Sequence, residues 1–204
     1  MIGVARFGAA AVPWTVSWTA EEKLFVGLCP HARRRALCMP HAPGEGKPRF
    51  GKPHSNRQRA AIAQALCDLC GKPLKNQTKV SLSHARYNSI AALGGTGILQ
   101  VEPLLHRACA AESLKFCPSL KRDIAAGSLM IRQVNGYRVQ FAVMGPDYIR
   151  HYVPDYRPDP NDRIIGHAKV ELLRWLDRDL RWLFDGVEHD AVALGAAPGG
   201  AIHE

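Results

Sequence analysis

Cys67-Asp68-Leu69-Cys70-Gly71-Lys72-Pro73 and, after thirty-two residues, His106-Arg107-Ala108-Cys109 are the two stretches whose reading decides the fold. Each offers two soft ligands separated by two residues. Zinc takes four thiolate or imidazole ligands placed tetrahedrally, and two rigid local turns can deliver them in pairs. Gly71 permits the tight turn that aims both thiolates of the first pair at one ion. His106 and Cys109, three apart, share one face when they open a helix. A zinc site built from Cys67, Cys70, His106 and Cys109 is therefore expected. Cys117 lies about 12 Å further along such a helix, too far to join the same ion, and reads as a buried thiol.

Between the ligand pairs, Thr78, Val80, Leu82 and His84 alternate with Lys79, Ser81 and Ser83, the period of a strand. Gly94-Gly95-Thr96-Gly97 turns the chain, and Ile98-Leu99-Gln100-Val101 supplies a return strand. Knuckle, hairpin and helix-borne ligands make a treble clef, expected over residues 55–126. The fold class is α+β, with an additional β-hairpin and a long C-terminal amphipathic helix. Asn135-Gly136 between the β-rich runs 129–134 and 137–143 predicts the two-residue turn of that hairpin. Leu172, Leu173, Leu176, Leu180, Leu183 and Phe184 recur at helical spacing and predict the helix over roughly 165–185. The division is 1–54, a strand, helix and basic Pro/Gly loop; 55–126, the zinc module; 127–188, hairpin, loop and helix; and 189–204, a flexible tail.

In the first segment, Val12, Trp14, Val16 and Trp18 alternate with polar residues and predict a half-buried strand. Thr19-Ala20-Glu21-Glu22 has the form of a capping box opening a short helix to about Leu28. Cys29, His31, Cys38 and His41 fall within 13 residues and are candidates for a second metal. Pro43, Gly44, Gly46, Pro48, Gly51 and Pro53 make the following stretch a loop. Ser55 then caps a helix from Asn56 to about Leu66, with Arg57 and Arg59 crowding its first turn. Cations there oppose the helix dipole, which argues for contact with phosphate.

The formal charge is +9, and the segment from Cys29 to Lys75 holds a net +8 of it. Arg33, Arg34, Arg35, Lys47, Arg49, Lys52, Arg57, Arg59, Lys72 and Lys75 stand there against Glu45 and Asp68 alone. Such a bias favours an acidic partner, either nucleic acid or an acidic protein surface. Six cysteines are too few for a secreted disulfide scaffold, and no run approaches a membrane span, so a cytoplasmic protein without a membrane partner is expected.

The Cys-x-x-Cys pair, the strand ending in Ser81-Leu82-Ser83-His84, the Gly94-Gly95 turn and the final ligand pair opening a helix resemble the HNH endonuclease module. The resemblance covers about 50 residues, roughly 66–117. It implies a strand histidine, here His84, as general base, with a second metal beside it held partly by an acidic residue before that histidine and by a helix histidine. Ser83 and Ala110 stand in those places, and the asparagine expected ahead of the second pair is absent. A metal nuclease needs an ion to stabilise charge on the scissile phosphate. The chain is also similar to uncharacterised zinc proteins of bacteriophages and their bacterial hosts, through Gly51-Lys52-Pro53, Arg57-Gln58-Arg59, Leu69-Cys70-Gly71-Lys72-Pro73 and Lys115-Phe116-Cys117-Pro118. The expectation is a non-catalytic zinc protein that binds nucleic acid or another acidic partner through its basic segment. The alternatives are a phage-encoded interaction factor acting on a host protein and an HNH-like nuclease using His84.

Overall fold

Residues 164–178, expected as the start of a long helix, run instead as one 15-residue strand, and the architecture is built around it. The computed structural model describes residues 4–84, 97–157, 159 and 161–185. In chain order these form β1 (Arg6–Phe7), β2 (Ala10–Ala11), β3 (Val16–Trp18), a 3-10 turn (Thr19–Glu21), β4 (Phe25–Cys29), β5 (Arg34–Cys38) and β6 (Pro48–Pro53). Helix α1 (Ser55–Ala63) precedes β7 (Lys79–Ser83), β8 (Ile98–Gln100), β9 (Leu105–His106), α2 (Arg107–Phe116) and α3 (Pro118–Ala125). The last third holds β10 (Met130–Met144), α4 (Pro146–Tyr152), β11 (Ile164–Arg178) and α5 (Leu180–Asp185). Among these helices none is long and apolar enough to cross a membrane.

The expected C-terminal helix is thus replaced by β11 and the one-and-a-half-turn α5. Ala168, Val170 and Leu172 are buried and alternate with half-buried or polar neighbours, the period of two that a strand face requires. Both edges of β11 are in use. β10 pairs with it antiparallel from Ile131↔Arg178 to Met144↔Ile164, β8 pairs antiparallel from Val170↔Gln100 to Leu172↔Ile98, and β5 bridges in parallel at Ile165↔Ala36. Those ladders outweigh a leucine pattern that also suited a helix. The Asn135-Gly136 hairpin is likewise corrected: β10 runs straight through both residues and absorbs them as a register shift against β11.

The main sheet has seven strands in the order β4-β5-β11-β10-β7-β9, with β8 on β11. This order overturns the treble clef. The strands expected to form its hairpin are separated by the central pair, because β7 pairs with β10 and β9 whereas β8 pairs with β11. The Gly94-Gly95 turn and the tail 189–204 lie outside the described residues. The fold is a mixed α/β arrangement in which the sheet takes strands from all three leading segments. Its principal core joins Ile62, Leu69, Leu74, Val80, Leu82, Ile98, Leu105, Ala110, Leu114, Ile131, Val170 and Leu172.

The N-terminal segment differs too. Trp18, not Thr19, caps the 3-10 turn, its amide donating to Glu21 Oε2 at 2.8 Å. The helix expected to run to about Leu28 is only the 3-10 turn Thr19–Glu21, and Phe25 to Leu28 belong instead to β4, which pairs with β5 as a hairpin. Helix α1 starts after His54, whose Nδ1 accepts from the Arg57 amide, and ends at Ala63. Its first turn faces inward. Arg57 grips Glu21 through both oxygens at 2.6 and 2.7 Å and donates to the Val16 carbonyl at 2.7 Å. Gln58 closes on the Ala168 backbone, donating to its carbonyl at 2.8 Å and accepting from its amide at 3.0 Å. Arg59 donates to the carbonyls of Leu37 and Gly166, both at 2.7 Å.

Burial alone would raise the Glu21 carboxyl, but Arg57 and the amides of Ala42 and Trp18 overcome it and bring the pKa down to about 2. A carboxyl with a depressed folded pKa contributes stability that is present above its unfolded value and lost as the pH falls through the folded one. Stability is therefore expected to fall between about pH 4.5 and 2 in wild type. In Glu21→Gln that component of the acid dependence disappears, on the order of 3 kcal/mol, while stability at pH 7 drops because Arg57 loses its counter-charge. Urea melts of both proteins across that pH range check it.

Candidate metal centre

Residues 65–74 fold back on themselves. Ala65 and Gly71 adopt left-handed backbone angles, φ 53° and 68°, and Leu66 bridges to Pro73. The Cys67 amide donates to the Lys72 carbonyl at 2.8 Å, and the Gly71 amide donates to the Cys67 carbonyl at 2.9 Å. These bonds place Cys67 and Cys70 on one side of the turn. Across from it, β9 pairs with β7 and ends at His106, which caps α2, and Cys109 lies in the first turn of that helix. The Asp68 amide donates to the Leu104 carbonyl at 3.0 Å and ties the two halves together.

The four ligand atoms of Cys67, Cys70, His106 and Cys109 all lie within 4.8 Å of one another. His106 Nδ1 is 3.4 Å from Cys70 Sγ and 3.9 Å from Cys109 Sγ. Tetrahedral zinc bonds to sulfur and nitrogen put such atoms about 3.6 Å apart. His106 Nε2 stands 3.1 Å from the Pro73 carbonyl. A carbonyl only accepts, so Nε2 carries the proton, and a neutral ring then has Nδ1 bare for a metal. The His106 backbone amide points at Cys67 Sγ at 3.5 Å, a donor suited to a thiolate. Hydrogen bonds from Cys109 and Cys67 hold the Cys70 thiol well below its ordinary value. Burial opposes charge on His106, but the Cys67 and Cys70 sulfurs raise its pKa to about 10, so without an ion Nδ1 holds a proton among the sulfurs, and an ion bound there would take that proton's place. Three sulfurs and one imidazole with a depressed thiol and an ordered outer shell form a set that can hold a metal ion.

Trp14 and Thr15 lean on this turn. The Trp14 amide donates to the Leu69 carbonyl at 3.0 Å, and the Thr15 hydroxyl donates to Asp68, whose carboxyl burial pushes up to about 6. The Trp14 ring covers Gly71 so closely that a Cβ there would stand 2.8 Å from it.

The other expected sites fare differently. Cys29 and Cys38 are buried beside Ala36 and Ile165, and Cys29, His31, Cys38 and His41 are not gathered as a ligand set. The β4–β5 register explains why: Cys29 faces Arg34 and Cys38 faces Phe25, at opposite ends of the hairpin. Cys117 is half-buried between α2 and α3. His84 follows β7 and is exposed, and residues 85–96 beyond it lie outside the described part. Of the ten basic candidates, Arg57 and Arg59 are buried at 4% and 1% exposure and cannot meet a partner's phosphates on the surface. Arg35 pairs with Asp162 and Arg49 with Glu22. Arg33, Arg34, Lys47, Lys52 and Lys75 are exposed and Lys72 is half-buried.

The sequence reading missed a second gathering, Glu21, His41 and His54. Its groups are already engaged. Glu21 is held by Arg57, Trp18 and Ala42, and His54 uses Nε2 on the Pro40 carbonyl at 2.8 Å and Nδ1 on the Arg57 amide. Burial lowers the His54 pKa and keeps the ring neutral. Glu21 read as a capping residue, and no local spacing links it to His54. Comparison with family models, with curated proteins and with solved structures found no match.

Gly71→Ala is expected to cost about 1–3 kcal/mol through its backbone angle, more through collision with Trp14, and to weaken metal binding with it. Cys109→Ser, or chelation of the ion, is expected to lower the melting temperature by about 10 °C, since ion binding contributes directly to folding. Thermal melts with metal analysis before and after chelation check both; an unchanged melt after confirmed metal loss would contradict the second.

Proposed function

We propose that this chain is a non-catalytic zinc protein that binds nucleic acid through the exposed part of its basic segment. The observation that carries the reading is the convergence of Cys67, Cys70, His106 and Cys109. Thiolate-rich tetrahedral sets select zinc over the harder divalent ions, and four protein ligands leave no open position for a substrate. The ion therefore acts as a staple. It would join the 65–74 turn to α2 and so steady the surface on which Trp14 and Thr15 lean.

The partner is inferred from charge. Arg33 and Arg34 project from the β4–β5 hairpin, Lys47 and Lys52 from the loop and strand around β6, and Lys72 and Lys75 flank the metal turn. Among the described residues none of these six side chains makes an ion pair with a carboxylate. Unpaired surface cations are free to displace the counterions of a polyanion, which gives affinity without sequence preference.

The purified chain is expected to contain one zinc per molecule. Cobalt substitution should give the visible spectrum of a tetrahedral thiolate site, lost in Cys70→Ser. Random-sequence nucleic acid should bind at low salt, with affinity falling steeply as salt rises. Arg33→Glu with Arg34→Glu should lower the log–log salt slope by about 1–2 while leaving the melt unchanged. Arg57→Glu, by contrast, should unfold the protein. No binding of any strand at low salt would end the nucleic-acid reading and leave the zinc reading standing.

A further inference from the structure

A cleft of about 570 Å³ is lined by β1, by the loop 41–46 and by the metal turn. That volume lies within the roughly 300–1,000 Å³ that holds a small ligand, so a nucleotide fits it. Phe7, Pro13, Trp14, Trp18, His41 and Pro43 give it a wall of rings. Phe7 is 46% exposed, His41 is exposed and Trp14 is half-buried. Among the described residues none of the rings of Phe7, Trp14 and Trp18 stacks on another aromatic ring, so they do not use up one another's faces. The walls are held in place. The Ala42 amide donates to Glu21 Oε1 at 2.9 Å, the Val12 amide donates to the Ala5 carbonyl at 2.8 Å, and Trp14 lies on Gly71. A preformed cleft spends little on ordering when it is filled.

The polar groups around it are mainly donors. Arg57 Nη1 stands 3.5 Å from His41 Nδ1; a guanidinium only donates, so Nδ1 accepts and the ring proton is on Nε2. Among the described residues no acceptor takes the His41 Nε2–H. Arg6 also lines the cleft, and its pair with Glu112, 3.2 Å long, is exposed and so holds it weakly. Lys47 follows directly on Gly46, Lys72 lies two residues after Cys70, and neither has a carboxylate partner among the described residues. Against these three cations stands Glu45, exposed between Gly44 and Gly46. Among the described residues no carboxylate lines the cleft itself.

Rings and cations together discriminate between occupants. A proline-rich peptide would use the rings and gain nothing from the cations. A duplex would use the cations, but its base faces are already covered by stacking. A single strand uses both, its bases lying on aromatic side chains and its phosphates on the basic rim.

We infer that this cleft takes an unpaired base of a single-stranded nucleic acid, stacked on Phe7 beside Trp14 and His41, with the flanking phosphates meeting Arg6, Lys47 and Lys72. The inference rests on the nucleic-acid reading and adds to it the form of the strand, which unpaired surface charge does not specify.

The test is titration of the intact, metal-containing chain at constant low salt with labelled oligonucleotides of equal length, followed by fluorescence anisotropy. One is a single strand of thymidines, one is the same backbone made abasic, and one is a duplex. The thymidine strand is expected to bind about tenfold more tightly than the abasic strand, which carries the same charge. Phe7→Ala should remove most of that advantage while leaving the melt and the affinities for abasic strand and duplex unchanged. Phe7→Trp should retain it. The abasic comparison needs no variant, so it decides the matter even if Phe7→Ala does not fold.

Equal binding of the thymidine and abasic strands, or an advantage undiminished in Phe7→Ala, overturns the inference and leaves the nucleic-acid reading standing. Saturable, Phe7-dependent binding of a proline-rich peptide, with no gain from the bases of a strand, gives the cleft another occupant and also overturns it. If no oligonucleotide binds at low salt, the nucleic-acid reading itself fails and the inference fails with it.

Discussion

Three consecutive polar side chains at the start of a nine-residue helix hold this fold together. Arg57, Gln58 and Arg59 are all buried, and each reaches a different part of the chain. Arg57 takes Glu21 and the Val16 carbonyl, Gln58 takes the Ala168 backbone and the Val101 carbonyl, and Arg59 takes the carbonyls of Leu37 and Gly166. Helix α1 is thereby fastened to the N-terminal segment, to β5 and to β11 through directional bonds rather than an apolar stripe. In a low-dielectric interior such bonds are strong when complete and damaging when one partner is lost. Exchange of any member would leave a desolvated group without its partner, so the network specifies one arrangement of the segments it joins.

The turn of the candidate metal centre supports the same segment from its other side. The Thr15 carbonyl accepts from the His54 amide at 2.7 Å, immediately before α1, while its hydroxyl is bound to Asp68 within the metal turn. Trp14 is hydrogen-bonded to Leu69 and packed on Gly71. Residues 14 and 15 are thus clasped between the helix network and the metal turn, and Trp14 lines the cleft that β1 and the loop 41–46 share. Ordering of the turn by an ion would reach that cleft through two residues, with no conformational relay needed.

The convergence of Cys67, Cys70, His106 and Cys109 was legible because their spacing encodes local geometry. A two-residue gap with a following glycine makes a turn, and a three-residue offset at a helix start makes a shared face, wherever the chain lies. The fold was less legible because its decisive pairings are remote. Leu172, Leu173 and Leu176 suit a helix as well as a strand, and what settles the matter is the ladder that residues 131–144 offer. Asn135-Gly136 would turn a short hairpin, but a continuous partner strand makes the pair a bulge instead. The β7 and β8 runs were sound as strands. Their partners could not be read from alternation, which says which residues share a face and nothing about which strand lies beside them.

Charge presented the opposite difficulty, since its count was plain and its placement was not. Arginine is so seldom fully buried that ten basic residues in one segment read as a surface. Here the two that lie in the helix drew attention because they oppose its dipole, and that unfavourable position is explained by inward bonds instead of an outward partner. Two more are occupied by Asp162 and Glu22. What a polyanion would meet outside is six side chains. Arg59, counted among the cations of the surface, lies inside on the carbonyls of Leu37 and Gly166, and among the described residues no carboxylate pairs with it.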